Sequence, residues 1–372
     1  MIKGIKVRLY PTKEQEILMW KSVGTMRFVY NWTIDKQIKN YDNGGKFISD
    51  KDIRKELTQL KKNELSWLRE LSSQLIAQAV KDACNSYKNF FKGLSQYPKF
   101  KSRKRNKPSF YVRYDNLKPT ETTVNFEKIG RIKIKANQIP LNVKYSNPRC
   151  SYDGKYWYLS VGIECNENQV EINKDLSIGV DLGVKDLAIL STGEVYKNIN
   201  KSKEMKRLYK KLKRLQRQIS RKYEMNKNGK KFIKTKNIIK LESQIKLVHR
   251  RISNIRNNHQ HHLTSNIVNK LPYRVVIEDL NVKGMMENRH LSKAIAKQGF
   301  YEIRRQLEYK CKWNGIELVI ADRFFPSSKT CSGCGTIKKD LKLSDRTYIC
   351  EECGLVIDRD LNASINLSRY TK

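Results

Sequence analysis

The chain has 372 residues, 76 of them Lys or Arg against 37 Asp or Glu, for a formal charge of +39 at pH 7. Hydrophobic residues make up 39%, with no apolar run near the ~18 residues of a membrane span and no signal-peptide core in "MIKGIKVRLY", so a soluble, unexported chain of two or three domains is expected. Cations in such excess along most of the sequence would repel one another in the compact state unless a polyanion neutralised them, which points to nucleic acid as partner.

Residues 3–10 read as a strand, stopped by Pro11 and Thr12. From about 12 to 92 the periodicity is helical: "GTMRFVYNWTIDKQIKNY" is broken by "DNGGK", and "SSQLIAQAVKDACNSYKNFF" starts at a cap candidate, Ser72, with Ile76, Ala79, Val80, Ala83 and Tyr87 on one stripe. The segment "YPKFKSRKRNKPSFYVRYDN" then sets Lys99, Lys101, Arg103, Lys104, Arg105 and Lys107 among Phe100, Phe110, Tyr111 and Tyr114. Cations for phosphates and aromatics for bases make it a nucleic-acid contact candidate.

Between about 118 and 165 the pattern is β, with "CSYDGKYWYLSVGIE" a hairpin whose Asp153-Gly154 suggests a type I′ turn. "LSIGVDLGVKDLAILSTGEVY" gives two further strands. Leu208, Leu212, Leu215 and Ile219, then Ile238, Leu241, Ile245, Val248, Ile252 and Ile255, outline a long helical hairpin with a narrow apolar seam. Between 201 and 222 only Glu204 offsets eleven cations, so a nucleic-acid-facing rod is expected. His259, His261 and His262 read as polar helix surface, because no cysteine or carboxylate near them in sequence completes a ligand set. "YRVVIEDL" is a buried strand, "SKAIAKQGFYEIRRQLEYKCKWNG" one helix stopped by Gly315, and "IELVIA" another strand.

Two metal signals follow. Of eight cysteines, Cys84, Cys150, Cys165 and Cys311 are scattered and read as buried thiols in a reducing compartment. The others form Cys331-x-x-Cys334 and, after fifteen residues, Cys350-x-x-Cys353, each pair followed by Gly. That is the spacing of a zinc ribbon, four thiolates closing a structural Zn²⁺ site with no open position. The second signal is distributed: Asp181 ends one strand, Glu278 and Asp279 end another, and Asp358 and Asp360 open a helix. Carboxylates on adjacent strand ends and a helix N-terminus suit hard divalent cations that clamp a phosphodiester. Sequence physics alone leaves Glu278 against Asp279, and Asp358 against Asp360, open.

"GVDLGVKDLA", "VVIEDLNVKGM", "SSKTCSGCG" and "DRDLNASINL", in this order, with "KVRLYPTKEQ", "RFVYNW" and "YPKFKSRKRNKPSF" upstream, resemble the TnpB proteins of small prokaryotic transposons, relatives of the type V CRISPR effectors. The resemblance implies a multidomain α+β chain. Residue ranges follow from it: a first wedge strand (1–11), a helical recognition lobe (12–96), a β-barrel wedge domain (97–172), and an RNase H-like (RuvC) α/β domain (173–326) carrying the basic hairpin at about 200–260. An inserted zinc ribbon (327–355) and a final RuvC segment (356–372) complete it. The resemblance further implies catalytic Asp181, Glu278 and Asp360 with two Mg²⁺ ions, a guide RNA derived from the transposon end, and DNA cut beside a short flanking motif in the prokaryotic cytoplasm or nucleoid. Ser364 stands where alanine is commoner. A non-cleaving RNA-guided DNA-binding repressor is the alternative.

Overall fold

A computed structural model describes residues 1–165, 170–229, 231–342 and 345–371. The chain divides into two compact units, 1–165 and 166–372. In the first, β1 (Ile2–Tyr10) leads into α1 (Lys13–Asp42), α2 (Asp50–Leu60) and α3 (Ser73–Phe91), then β2 (Ser109–Tyr111), β3 (Thr123–Phe126), β4 (Gly130–Ile134), β5 (Tyr145–Tyr152) and β6 (Trp157–Glu164). Thr12 caps α1 in a capping box with Gln15. The strands form one antiparallel ladder, β2-β5-β6-β1-β4-β3, so the expected barrel is seen as a six-stranded sheet with β2 and β3 at its ends. Its inner face and the stripe of α3 share a core that includes Val7, Leu9, Ile76, Val80, Ile132 and Leu159.

Three expectations are corrected in this unit. Ser72 stands at the N-cap of α3 without capping it; its hydroxyl instead donates to Glu127 at 2.5 Å. The β5–β6 turn is not type I′, which needs two positive φ angles. Only Gly154 has one (+98°), and the Asp153 carboxylate closes the turn by accepting from the Lys155 and Tyr156 N–H groups. Phe110, expected to face nucleic acid, is 2% exposed and packs edge-on against Phe126 and Trp157. Alternation along β2 turns it inward, so it has no face to offer a base.

The second unit holds β7 (Asn173–Leu182), β8 (Asp186–Leu190), β9 (Val195–Lys197), α4 (Lys203–Met225), the two-residue strands β10 (Lys227–Asn228) and β11 (Lys231–Phe232), α5 (Lys236–Asn269), β12 (Pro272–Glu278), α6 (Val282–Glu287), α7 (Ser292–Gln298), α8 (Phe300–Trp313), β13 (Glu317–Ala321), β14 (Thr347–Ile349), β15 (Val356–Asp358) and α9 (Arg359–Ser368). Its main sheet runs β13-β12-β7-β8-β9. β12 is parallel to both β13 and β7, whereas β7, β8 and β9 pair antiparallel. α4 and α5 form the expected hairpin around Leu208, Leu215, Val248 and Ile252.

The single helix expected over 292–315 is two. Gly299 takes φ +69° between α7 and α8, a left-handed conformation that ends one helix and admits the next. The break is held from α5, where the buried Gln260 amide donates to the Gln298 carbonyl at 2.7 Å.

Candidate active site and metal centre

The carboxylates follow from strand alternation. On β7, Ile178, Val180 and Leu182 point into the apolar core beneath the sheet, which turns Ser177, Gly179 and Asp181 to the opposite face. α9 lies on that face. A Cβ at Gly179 would overlap the Ser364 carbonyl oxygen and the Ser368 nitrogen and sit 3.0 Å from the Leu367 carbonyl carbon, so glycine is what lets helix backbone touch strand backbone. The far end of α9 is pinned by Ser177, which donates to the Ser368 carbonyl at 2.6 Å, and by Arg274, which donates to the same oxygen at 2.8 Å. Ser364 is fully buried in this contact, and its hydroxyl is satisfied by the Leu361 carbonyl at 2.8 Å, which is why serine is tolerated there. Gly179→Ala is expected to cost about 1–3 kcal/mol, since neither backbone can yield as a side chain would; thermal denaturation checks it.

Parallel pairing sets the second carboxylate. Val180 is opposite Ile277, so Asp181 and Glu278 follow each other at neighbouring strand ends. Asp360, in the first turn of α9 and one helical turn before Ser364, completes the group. The electrostatics register the convergence. Burial pushes the Asp181 carboxyl well above the usual carboxylate range, and the charges of Glu278, Asp360 and, least, Asp358 push it further, against an opposing pull from Arg359. Among the described residues these three do not reach the mutual tightness of the four thiolates described below.

The members of both pairs left open by the sequence have different partners. Asp279 is occupied by Arg304 at 3.3 Å and Arg323 at 2.7 Å. Asp358 is the N-cap of α9 and accepts from the Asp360 and Leu361 N–H groups at 3.0 and 3.1 Å. Glu278 instead accepts from the Ser327 hydroxyl at 2.5 Å, and Asp360 lies 3.8 Å from Arg346.

Cys331, Cys334, Cys350 and Cys353 bring their sulfurs within 4.8 Å of one another, with Cys331–Cys353 at 3.6 Å and Cys334–Cys350 at 3.5 Å. A tetrahedron with metal–sulfur bonds of about 2.3 Å requires sulfurs about 3.8 Å apart, so the set fits a four-thiolate ion such as zinc. The two knuckles repeat each other. Gly335 and Gly354 take φ +82° and +70°, their N–H groups donate to the Cys331 and Cys350 carbonyls, and the N–H groups of Cys331 and Cys350 donate to the Thr336 and Leu355 carbonyls. Buried Tyr348 fills the space beneath.

This ribbon is sutured to α9. β15 runs directly into the helix. Fully buried Asn362 accepts from the Ser332 N–H at 2.9 Å and donates to the Thr330 carbonyl at 2.7 Å, while Asn366, one turn on, donates to the Ser327 and Thr330 carbonyls. Sequence reasoning missed Ser327, Asn362 and Asn366. The signal for the asparagines was two amides four residues apart on an otherwise apolar helix face.

Of the basic segment, Lys99, Arg103, Lys104 and Arg105 are exposed and Tyr111 half-buried. Lys101 is half-buried, with its ammonium 3.7 Å from the centre of the Tyr30 ring. Among the described residues the histidines form no metal cluster; His259 meets the Lys197 carbonyl. No described helix is long and apolar enough to cross a membrane.

Three family profiles match: "Cas12f1-like, TNB domain" over residues 300–367, "Probable transposase" over 159–289 and "Helix-turn-helix domain" over 1–46. The last label does not describe this chain, in which 1–46 is β1 and one unbroken helix. The fold is similar to the Cas12f1 chain of a cryo-EM complex with sgRNA and target DNA, with a TM-score of 0.56 and 14% identity over 99% of this chain and 98% of that one. That defines a class, the Cas12f1-like fold with a four-cysteine ribbon. The chain is 33% identical to a Streptomyces pristinaespiralis protein named "Putative RNA-guided DNA endonuclease", covering 98% of this chain and 88% of that one. It is 31% identical to the Escherichia coli protein named "Putative RNA-guided DNA endonuclease InsQ", covering 98% and 91%. The chain belongs to the TnpB family.

Proposed function

We infer that the chain is an RNA-guided DNA endonuclease, as its curated relatives are named, and that residues 173–326 and 356–372 form a RuvC-type, RNase H-like catalytic domain around Asp181, Glu278 and Asp360. One observation carries this reading: the Asp181 carboxyl feels both Glu278 and Asp360, although the three come from distant segments of an otherwise strongly basic chain. Two Mg²⁺ ions held there would supply an activated water and stabilisation of the leaving 3′-oxygen. Asp181, buried beside the other carboxylates, would supply ligand oxygens to the ions. Glu278 is held in one orientation by Ser327, and Asp360 is aimed by α9, whose seat on Gly179 leaves it little freedom. Arg346, close to Asp360, offers positive charge to an incoming phosphate. The four thiolates would hold one Zn²⁺ and with it fix the ribbon, which Asn362 and Asn366 join to the helix. Sequence is read by pairing between target DNA and a guide RNA from the transposon end, and the protein grips backbone shape and a short flanking motif.

The test is to express the chain with its native flanking DNA, purify it with its bound RNA, and assay cleavage of duplexes matched to that RNA. Cutting that requires the match and Mg²⁺ supports the reading; discrete RNA without any divalent-dependent cutting would favour a guided repressor. Ser327→Ala is expected to slow cleavage about 3- to 10-fold while leaving RNA binding intact, the effect of one lost orienting hydrogen bond; single-turnover rates at saturating Mg²⁺ check it.

A further inference from the structure

A cavity of about 420 Å³ in the N-terminal unit takes no part in the chemistry above. Trp20, Gly24 and Arg27 on α1 line it, together with Lys101, Arg103 and Lys107 of the basic segment and Arg149 of β5. Its volume is that of a site for one small molecule or one nucleotide, too small to take in a duplex.

Its walls are already fixed. Asn31 and Lys101 exchange hydrogen bonds of 2.8 and 2.9 Å, tying the basic segment to α1. Asn106 accepts from the Ser102 N–H at 2.7 Å and closes the loop on itself. Arg149 is consumed by a two-pronged contact with Asp82 at 2.8 and 2.9 Å. Arg27, Arg103 and Lys107, by contrast, have no acidic partner among the described residues. Fixed walls bearing unneutralised cations are the features of a preorganised anion site.

The floor is the second, independent observation. Gly24 sits in the middle of a 30-residue helix, where glycine weakens the fold relative to alanine. Its φ is not positive, and a Cβ there would meet nothing within 4 Å. No backbone conformation and no packing among the described residues calls for glycine, and Gly24 lines the cavity. Trp20, one turn away and 40% exposed, is held edge-on by Tyr152 and Trp157, each 5.0 Å between ring centres, and keeps a free face.

We propose that this cavity receives one unstacked nucleotide of a bound RNA, its base against Trp20 over the Gly24 floor and its phosphate among Arg27, Arg103 and Lys107. RNA is favoured because folded RNA displays unstacked nucleotides in loops and bulges, whereas a DNA duplex keeps its bases stacked. The proposal rests on the reading that the chain holds a guide RNA, and gives one nucleotide of it a place.

The test uses the full chain and a 20-residue oligouridylate carrying one central 5-iodouridine, with a DNA duplex carrying one central 5-iododeoxyuridine alongside. Photocrosslinks mapped by mass spectrometry are expected at Trp20 with the RNA. Gly24→Leu is expected to raise the thermal midpoint, because leucine is the better helix former, and yet to weaken RNA binding about tenfold, the loss of one stacked base, with the Trp20 crosslink gone. Gly24→Ala fills less of the cavity and gives a smaller loss of the same sign. A more stable protein that binds RNA less well is an outcome that a structural role for Gly24 cannot produce. Unchanged affinity and crosslinking in Gly24→Leu, crosslinks mapping only elsewhere, or equal crosslinking of the DNA duplex would each overturn the proposal. Absence of any RNA binding would overturn both it and the guided reading, whereas a cleavage-inactive protein that still crosslinks at Trp20 faults only the nuclease assignment.

Discussion

Asp181→Asn is expected to abolish DNA cleavage, by about 10³-fold or more, while leaving RNA and target binding intact and making the metal-free protein more stable. The last outcome follows from the electrostatics. Burial and three neighbouring carboxylates, those of Glu278, Asp360 and Asp358, raise the Asp181 carboxyl above its unfolded value. A carboxyl raised in the folded state contributes stability that is complete below the unfolded carboxylate range, near 3.9, and is lost as pH rises through the folded value. At neutral pH without divalent ions, wild type therefore carries a penalty that asparagine does not. Thermal melts in chelator should show Asp181→Asn above wild type at pH 8, with the gap closing as the pH falls through the raised value. In millimolar Mg²⁺ the order should reverse, because bound ions stabilise only the wild-type site. Undiminished cutting by this variant would remove Asp181 from the catalytic group.

Loss of the ribbon metal is expected to be as damaging by another route. Cys350→Ser, or prolonged chelation, opens the four-thiolate set, and the free energy of about 10 kcal/mol or more that such sites contribute no longer holds the knuckles. The first knuckle is bonded to α9 through Asn362 and Asn366, and the second runs through β15 into the same helix, so the damage passes to Asp360. Cleavage should fall about 100-fold or more, and the thermal transition should broaden or split as the second unit loosens, while RNA affinity changes little. Zinc content by elemental mass spectrometry, expected at one ion per chain, should follow the cleavage rate across partially depleted samples. A zinc-free preparation that cuts at full rate would contradict this coupling. Asn362→Ala isolates the suture from the metal: it should keep the zinc and lose part of the activity.

Much of the site was legible because its parts are local. An acidic residue after an apolar strand, two CxxC knuckles fifteen residues apart and a helix opening on aspartates are each written in a short stretch of sequence. What could not be read needed the third dimension. Arg304 and Arg323 occupy Asp279 and Asp358 caps α9, contacts no sequence pattern announces, and they support Glu278 and Asp360 as the proposed ligands. Gly179 looks like any strand glycine until α9 lies against it. The break at Gly299 is enforced by Gln260, which lies 39 residues earlier, where a periodicity scan saw one helix. Phe110 shows the opposite failure: its composition-rich neighbourhood suggested stacking, whereas the alternation of a three-residue strand sends it into the core.

The most direct measurement is anomalous scattering from crystals of the protein soaked in Mn²⁺, with the Asp360→Asn variant as control. Two manganese peaks about 4 Å apart, bounded by Asp181, Glu278 and Asp360 and weakened in the variant, are the predicted result. Manganese found elsewhere, or bound equally well in the variant, would contradict the shared carboxylate site on which the nuclease reading rests.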